Sequence, residues 1–100
     1  MVRDIELAFI KVHILYHAAR EEVCGIGLME ELGRHGYNIG PGTLYPTLFK
    51  MEELGLLRCQ SRTVNKKQRK YYRITPAGRR LMKEMKNKIE ELYEEVVGGS

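Results

Sequence analysis

The stretch Gly40–Leu57, GPGTLYPTLFKMEELGLL, constrains this chain more than any other. It reads as a helix with one apolar side, Leu44, Leu48, Met51 and Leu54. The other side shows Thr43, Pro46, Thr47 and Lys50 at i, i+3, i+4 and i+7, with Tyr45 and Phe49 flanking it. Pro41 suits the first helical position, where a missing N–H costs nothing, and Gly40 is then the N-cap. Pro46 removes one backbone bond, to the carbonyl of Gly42, which predicts a bend after the first turn. Hydroxyls, a phenol and a lysine share one face, and the acids Glu52 and Glu53 lie near its far end. Such a face suits a nucleic-acid groove. On a merely solvated face Tyr45 and Phe49 would be poorly placed apolar area.

Charge points the same way. The net charge of +4 says little, but its distribution says more. Residues 61–80 carry eight Lys and Arg (Arg62, Lys66, Lys67, Arg69, Lys70, Arg73, Arg79, Arg80) and no acid. The segments before and after are each net −2 (6 basic against 8 acidic, then 3 against 5). Tyr71, Tyr72 and Ile74 interrupt the basic block, which predicts an ordered strand rather than a solvated charge run. Leu57–Val64 and Gln68–Ile74 read as two strands joined at Asn65-Lys66, where Asn tolerates a left-handed backbone. Alternation places Arg69, Tyr71 and Arg73 on one side and Lys70, Tyr72 and Ile74 on the other, with Ile74 and Tyr72 inward.

Three more helices complete the pattern. The first, about Asp4 to Ala19, carries two apolar stripes. One is Ile5, Ala8, Phe9, Val12, Leu15, Tyr16 and Ala19, and the other is Leu7, Ile10 and Ile14. A helix apolar on two sides has two surfaces to pack against, and in a 100-residue chain the second fits another subunit. Arg20–Cys24 reads as a polar turn. A short second helix, Gly25 to Arg34, places Ile26, Leu28, Met29 and Leu32 inward and ends at Gly33 and Gly36. Thr75 caps the last helix and Pro76 opens it. That helix reaches about Val97, with a seam of Leu81, Met85, Ile89, Leu92 and Val96. It has its lysines (Lys83, Lys86, Lys88) first and most of its glutamates (Glu90, Glu91, Glu94, Glu95) last. This order opposes the helix dipole and favours an antiparallel partner.

A readout helix followed by a basic β-ribbon is the layout of a winged helix-turn-helix. The fold class expected is therefore α+β, mostly α, with three helices, a hairpin wing and a long C-terminal dimerisation helix. Residues 1–74 form the winged unit, 75–97 the dimerisation helix of the same structural unit, and 98–100 a flexible tail. PGTLYPTLFKMEELGLL and RKYYRITPAGRRL resemble the PadR-like family of winged-helix transcriptional regulators, and the element order agrees over about residues 5–95. The resemblance implies a homodimeric DNA-binding repressor that dimerises through its first and last helices. It also implies that a small-molecule effector is open to the chain, because many members respond to aromatic or drug-like ligands.

The candidate DNA contacts are Thr43, Tyr45, Pro46, Thr47, Lys50, Arg62, Lys66, Lys67, Arg69, Lys70 and Tyr71. The alternative for Tyr45 is packing beneath the wing. The expected partner is double-stranded DNA carrying a palindromic operator. The dimerisation residues expected are Leu7, Ile10, Ile14, Leu81, Met85, Ile89, Leu92 and Val96. A winged helix docking on protein or RNA is the competing class, and a ligand or metal sensor a third. His13 and His17 have a metal-ligand spacing at i, i+4, with Cys24, His35 and Cys59 scattered elsewhere. No C-x-x-C or H-E-x-x-H is present, so no metal ligands and no cofactor are assigned. No phosphate-binding glycine loop and no nucleophile beside a base argue against an enzyme. The apolar run Ile5–Ala19 contains Glu6, Lys11 and His13 and is too short to span a bilayer. Two cysteines and no signal peptide make a cytoplasmic location the expectation, with no membrane partner.

Overall fold

The computed structural model describes residues 1–99, so Ser100 of the expected tail lies outside the described residues. The elements are α1 (Val2–Arg20), β1 (Val23–Cys24), α2 (Gly25–Arg34), α3 (Pro41–Glu53), β2 (Leu57–Val64), β3 (Lys67–Ile74) and α4 (Pro76–Val96). The strands form one antiparallel sheet in the order β1-β3-β2. Strand β1 replaces part of the expected polar turn: Val23 pairs with Tyr72, and Cys24 with Tyr71. Two residues are too few to show an alternation in sequence, and only β3 gives them an edge to pair with.

Helices α2 and α3 end alike. In α2 the Tyr37 amide donates to the Leu32 carbonyl and the Gly36 amide to Gly33. In α3 the Leu56 amide donates to Met51 and the Gly55 amide to Glu52. Gly36 at φ 88° and Gly55 at φ 77° supply the left-handed residue that this closure requires. The second closure turns the chain straight into β2, which sets the wing relative to α3. Helix α3 runs unbroken through Pro46. Gly42, whose carbonyl loses its helical partner there, is exposed.

The core gathers Ile10, Ile14, Leu15 and Ala18 of α1, Leu28 and Leu32 of α2, and Leu44, Leu48 and Met51 of α3. Ile39, Leu57, Tyr72 and Ile74 close it. Tyr72 lies inward as alternation predicts. Its burial, with the Cys59 thiol beside it, pushes the phenol up to about 12. Two inward assignments change. Leu54 is the C-cap of α3 and 60% exposed, because the helix has already stopped. Ile26 is half exposed, in the first turn of α2, where it faces a cleft instead of the core.

The stripes of α1 exchange roles in part, since Leu15 of the first stripe stays in the core. Ile10 and Ile14, expected at a subunit interface, are fully buried within the protomer, and Leu7 packs against the same core. Ile5, Phe9 and Tyr16, of the stripe with more members, stay exposed. Ile10 and Ile14 lie on the side of α1 that meets β3 and α2, and Ile5, Phe9 and Tyr16 are left outside. The end of α1 is tied down from afar, since Arg79 at the start of α4 donates to the Ala19 carbonyl at 3.3 Å. A cation there complements the helix dipole.

Helix α4 begins as expected. The Thr75 hydroxyl accepts from the Gly78 amide at 3.0 Å and donates to the Gly55 carbonyl. A Cβ on Gly78 would sit 2.3 Å from the Leu56 carbonyl oxygen, so only glycine lets α4 leave the sheet this closely. Beyond its first turns α4 is solvated: Leu81 and Met85 are half-buried, and Ile89, Leu92 and Val96 are 45–69% exposed. Among the described residues no helix is long and apolar enough to cross a membrane.

Candidate nucleic-acid interface

Helix α3 offers Tyr45, Pro46, Phe49 and Lys50 to solvent, while Thr43 and Thr47 are half-buried. The Thr47 hydroxyl donates back to the Thr43 carbonyl at 2.8 Å. Its proton is committed to the helix, so Thr47 presents a methyl group and an acceptor oxygen. The ring of Tyr45 lies against α2: a Cβ on Gly25 would meet the phenol oxygen at 2.3 Å. A side chain at Gly25 would therefore displace Tyr45 from this position. The tyrosine does not slide under the wing. It stands beside it, 40% exposed.

The wing is a two-residue hairpin. Asn65 and Lys66 both have positive φ, at 51° and 66°, the backbone of the turn that matches strand twist. Lys66 has no local reason to favour that conformation, so the tip is held by the strands on either side. Pairing runs from Leu57 opposite Ile74 to Val64 opposite Lys67. Wing and α3 meet at one cleft of about 480 Å³, lined by Tyr45, Ile26, Lys67, Gln68, Arg69 and Lys70 among others. The Arg69 Nε is buried and has no hydrogen-bond partner. Four predicted contacts (Tyr45, Lys67, Arg69, Lys70) thus share a single concavity between the two elements.

The remaining predicted contacts fall into two groups. Lys50 and Lys66 are exposed, and no carboxylate among the described residues is within ion-pair distance of them or of Lys67 and Lys70. Arg62 is engaged instead. It pairs with Glu22, and its guanidinium carbon lies 3.9 Å from the centroid of the Tyr71 ring. Glu22 also lies 3.9 Å from Arg73. The basic block is therefore not one continuous contact. Glu22 partly neutralises the outer sheet face, Arg79 holds α1, and the lysines near the tip keep unpaired charge. Sequence reading missed Glu22 and Ile26, because only pairing with the short β1 and the packing of α2 bring them to the wing, and it passed over Gln68, an uncharged residue between Lys67 and Arg69 on β3.

A second exposed surface is apolar. Phe9, Val12 and Tyr16 of α1 and Met85, Ile89 and Leu92 of α4 line a groove of about 640 Å³. The predicted α4 seam forms one wall of it.

A partly exposed third helix, a basic hairpin and a cleft joining them define a winged-helix domain. The sequence matches the transcriptional regulator PadR-like family over residues 14–84, and the chain belongs to that family. It is 49% identical over 98 residues to the transcriptional regulator Rv3488 of Mycobacterium tuberculosis, covering 98% of this chain and 92% of that one. A PadR family regulator from Eggerthella lenta superposes with TM-score 0.78 at 32% identity, over 96% of this chain and 81% of that one. A PadR-like transcription factor from Bacteroides fragilis superposes with TM-score 0.84 at 22% identity, over 98% and 96%. The family and these relatives are regulators, not enzymes.

Proposed function

We propose that the chain is a homodimeric repressor of the cytoplasm, binding a palindromic operator with one α3 in the major groove of each half-site. The observation that carries this reading is the apolar face shared by α1 and α4. Phe9, Tyr16, Ile89, Leu92 and Val96 are each 44–69% exposed, and large apolar side chains gathered on one exposed face mark a surface for a protein partner. The interface residues are therefore Ile5, Phe9, Val12 and Tyr16 of α1 with Met85, Ile89, Leu92 and Val96 of α4. Ile10 and Ile14 have no surface to give. An antiparallel two-fold contact also sets the basic first half of α4 near the acidic second half of the partner's, relieving the charge order along the helix.

In such a dimer the two copies of α3 sit about one DNA turn apart, ~34–36 Å. Lys50 and the methyl of Thr47 read base edges, Tyr45 braces α3 against α2, and Lys66, Lys67, Arg69 and Lys70 hold phosphates beside the groove. Sedimentation at micromolar concentration together with selection of bound sites from random duplexes tests the reading. A dimer that selects inverted repeats is the expected outcome. A monomer, or selection of single half-sites, refutes it.

A further inference from the structure

The fold brings together three histidines that are distant in sequence. His13 and His17 lie one turn apart on α1, and His35 caps α2. One ring nitrogen from each lies within 4.8 Å of the other two. The rings of His13 and His35 stack at 4.6 Å, and the Tyr37 ring meets His13 edge-on at 5.5 Å. All three imidazoles lie at the α2 side of the apolar groove between α1 and α4.

Glu31 completes the cluster. Its Oε2 is taken by Arg34, whose Nε donates at 2.9 Å. Its Oε1 is left facing the imidazoles, 3.6 Å from His17 Nε2 and 3.7 Å from His35 Nε2. His17 Nε2 is buried and has no hydrogen-bond partner. A buried, unpartnered imidazole nitrogen aimed at two further imidazoles and an oriented carboxylate is not ordinary packing, because a polar atom withdrawn from water without a partner is unfavourable.

We propose that His13, His17 and His35, with Glu31 Oε1 as fourth donor, form a mononuclear site for a borderline divalent transition-metal ion of the zinc class. Three nitrogens and one oxygen suit Zn²⁺ or Co²⁺, whereas Mg²⁺ and Ca²⁺ require oxygen cages. Bonds of about 2.0–2.1 Å place tetrahedral donors roughly 3.3 Å apart. Glu31 Oε1 is already close to that distance from His17 and His35, and side-chain rotations of Glu31 and the half-exposed His35 close the remainder. Arg34 acts from outside the site by fixing the carboxylate. Burial and the two neighbouring imidazoles lower the His13 pKa, and the hydrogen bond from Arg34 lowers that of Glu31. The bound ion would join α1 to the end of α2, the first helix of the helix-turn-helix. Neither thiol is among the clustered donors: Cys24 lines the hollow that His17 and Glu31 also border but lies outside the group, and Cys59 lies on β2 against Tyr72.

Titration of the untagged protein with Co²⁺, followed by displacement with Zn²⁺, tests this without reference to DNA. One Co²⁺ per chain with the intense visible bands of tetrahedral coordination is expected. His35→Ala should weaken binding on the order of 100-fold or more, and Glu31→Gln about 10–100-fold. Cys24→Ser with Cys59→Ser should leave binding unchanged. Zn²⁺ should raise the melting temperature of the wild type but not of His35→Ala, whose exposed position keeps the fold intact. The assignment is overturned by an octahedral spectrum, by wild-type affinity in His35→Ala, or by loss of the ion in the cysteine variant.

Discussion

The α3–wing surface and the α1–α4 surface are exposed in the same small domain but built from opposite chemistry. The first holds unpaired lysines around a tyrosine, and its shape comes from β-pairing and two glycine-closed helix ends. The second is a stripe of aromatic and aliphatic side chains on two helices, with Ile89, Leu92 and Val96 unserved by the protomer's own core. The chemistry of the first surface suits a polyanionic partner and that of the second an apolar one. Raising salt should therefore weaken what the first binds and leave what the second binds. The two can be broken separately.

The largest effect is expected at the apolar surface. Ile89→Glu places a carboxylate in the middle of the proposed interface twice per dimer. The loss should be at least about 3 kcal/mol, more than a hundredfold in the dimer dissociation constant. Sedimentation should show a monomer whose circular dichroism is native, because Ile89 contributes little to the protomer core. Tight operator binding should vanish with it, while weak, salt-sensitive binding to any duplex persists.

The wing comes next. Replacing Lys66 and Lys67 with Ala removes two of the proposed phosphate contacts, which should reduce the slope of log K against log salt by about 1.8. Between 50 and 200 mM salt that is roughly a tenfold difference in the change of affinity. Sequence preference and dimerisation should be unaffected. An unaltered slope would take the tip off the DNA backbone and leave the cleft residues Arg69 and Lys70 as the phosphate contacts.

Two smaller effects report on how the wing is built. Tyr72 is neutral and buried, with its pKa raised to about 12, whereas the unfolded phenol ionises near 10. A raised folded-state value means that its contribution is complete below about pH 10 and is lost as pH rises towards 12. Chemical denaturation across that window should show wild type losing stability that Tyr72→Phe retains. Lys66→Gly relieves a left-handed lysine and should stabilise the hairpin by roughly 0.5–1 kcal/mol. The same change deletes a phosphate contact, so stability should rise while DNA affinity falls. A variant that gains neither stability nor loses affinity would show that the tip is neither strained nor in contact.

Much of this was legible before any coordinates. Thr75 and Pro76 announce α4, Gly36 and Gly55 announce two helix ends, and the alternation through Tyr72 and Ile74 gives the inner face of the wing. These are local rules, acting over one turn or one strand, and the sequence carries them directly. The lysines of the tip and the outer face of α3 follow from the same periodicities.

Three matters were decided only by the fold. Periodicity shows that α1 has two apolar stripes, but which one is covered depends on how the sheet and the other helices pack against it, and that packing takes Ile10 and Ile14. The basic block looks uniform along the chain, yet Glu22, forty residues before Arg62, neutralises part of it across the sheet. His13 and His17 show a spacing with no third ligand. His35 reaches them only because the glycine-closed end of α2 turns back against α1. Each depends on contacts between residues far apart in sequence, whose energies arise only once the elements have packed.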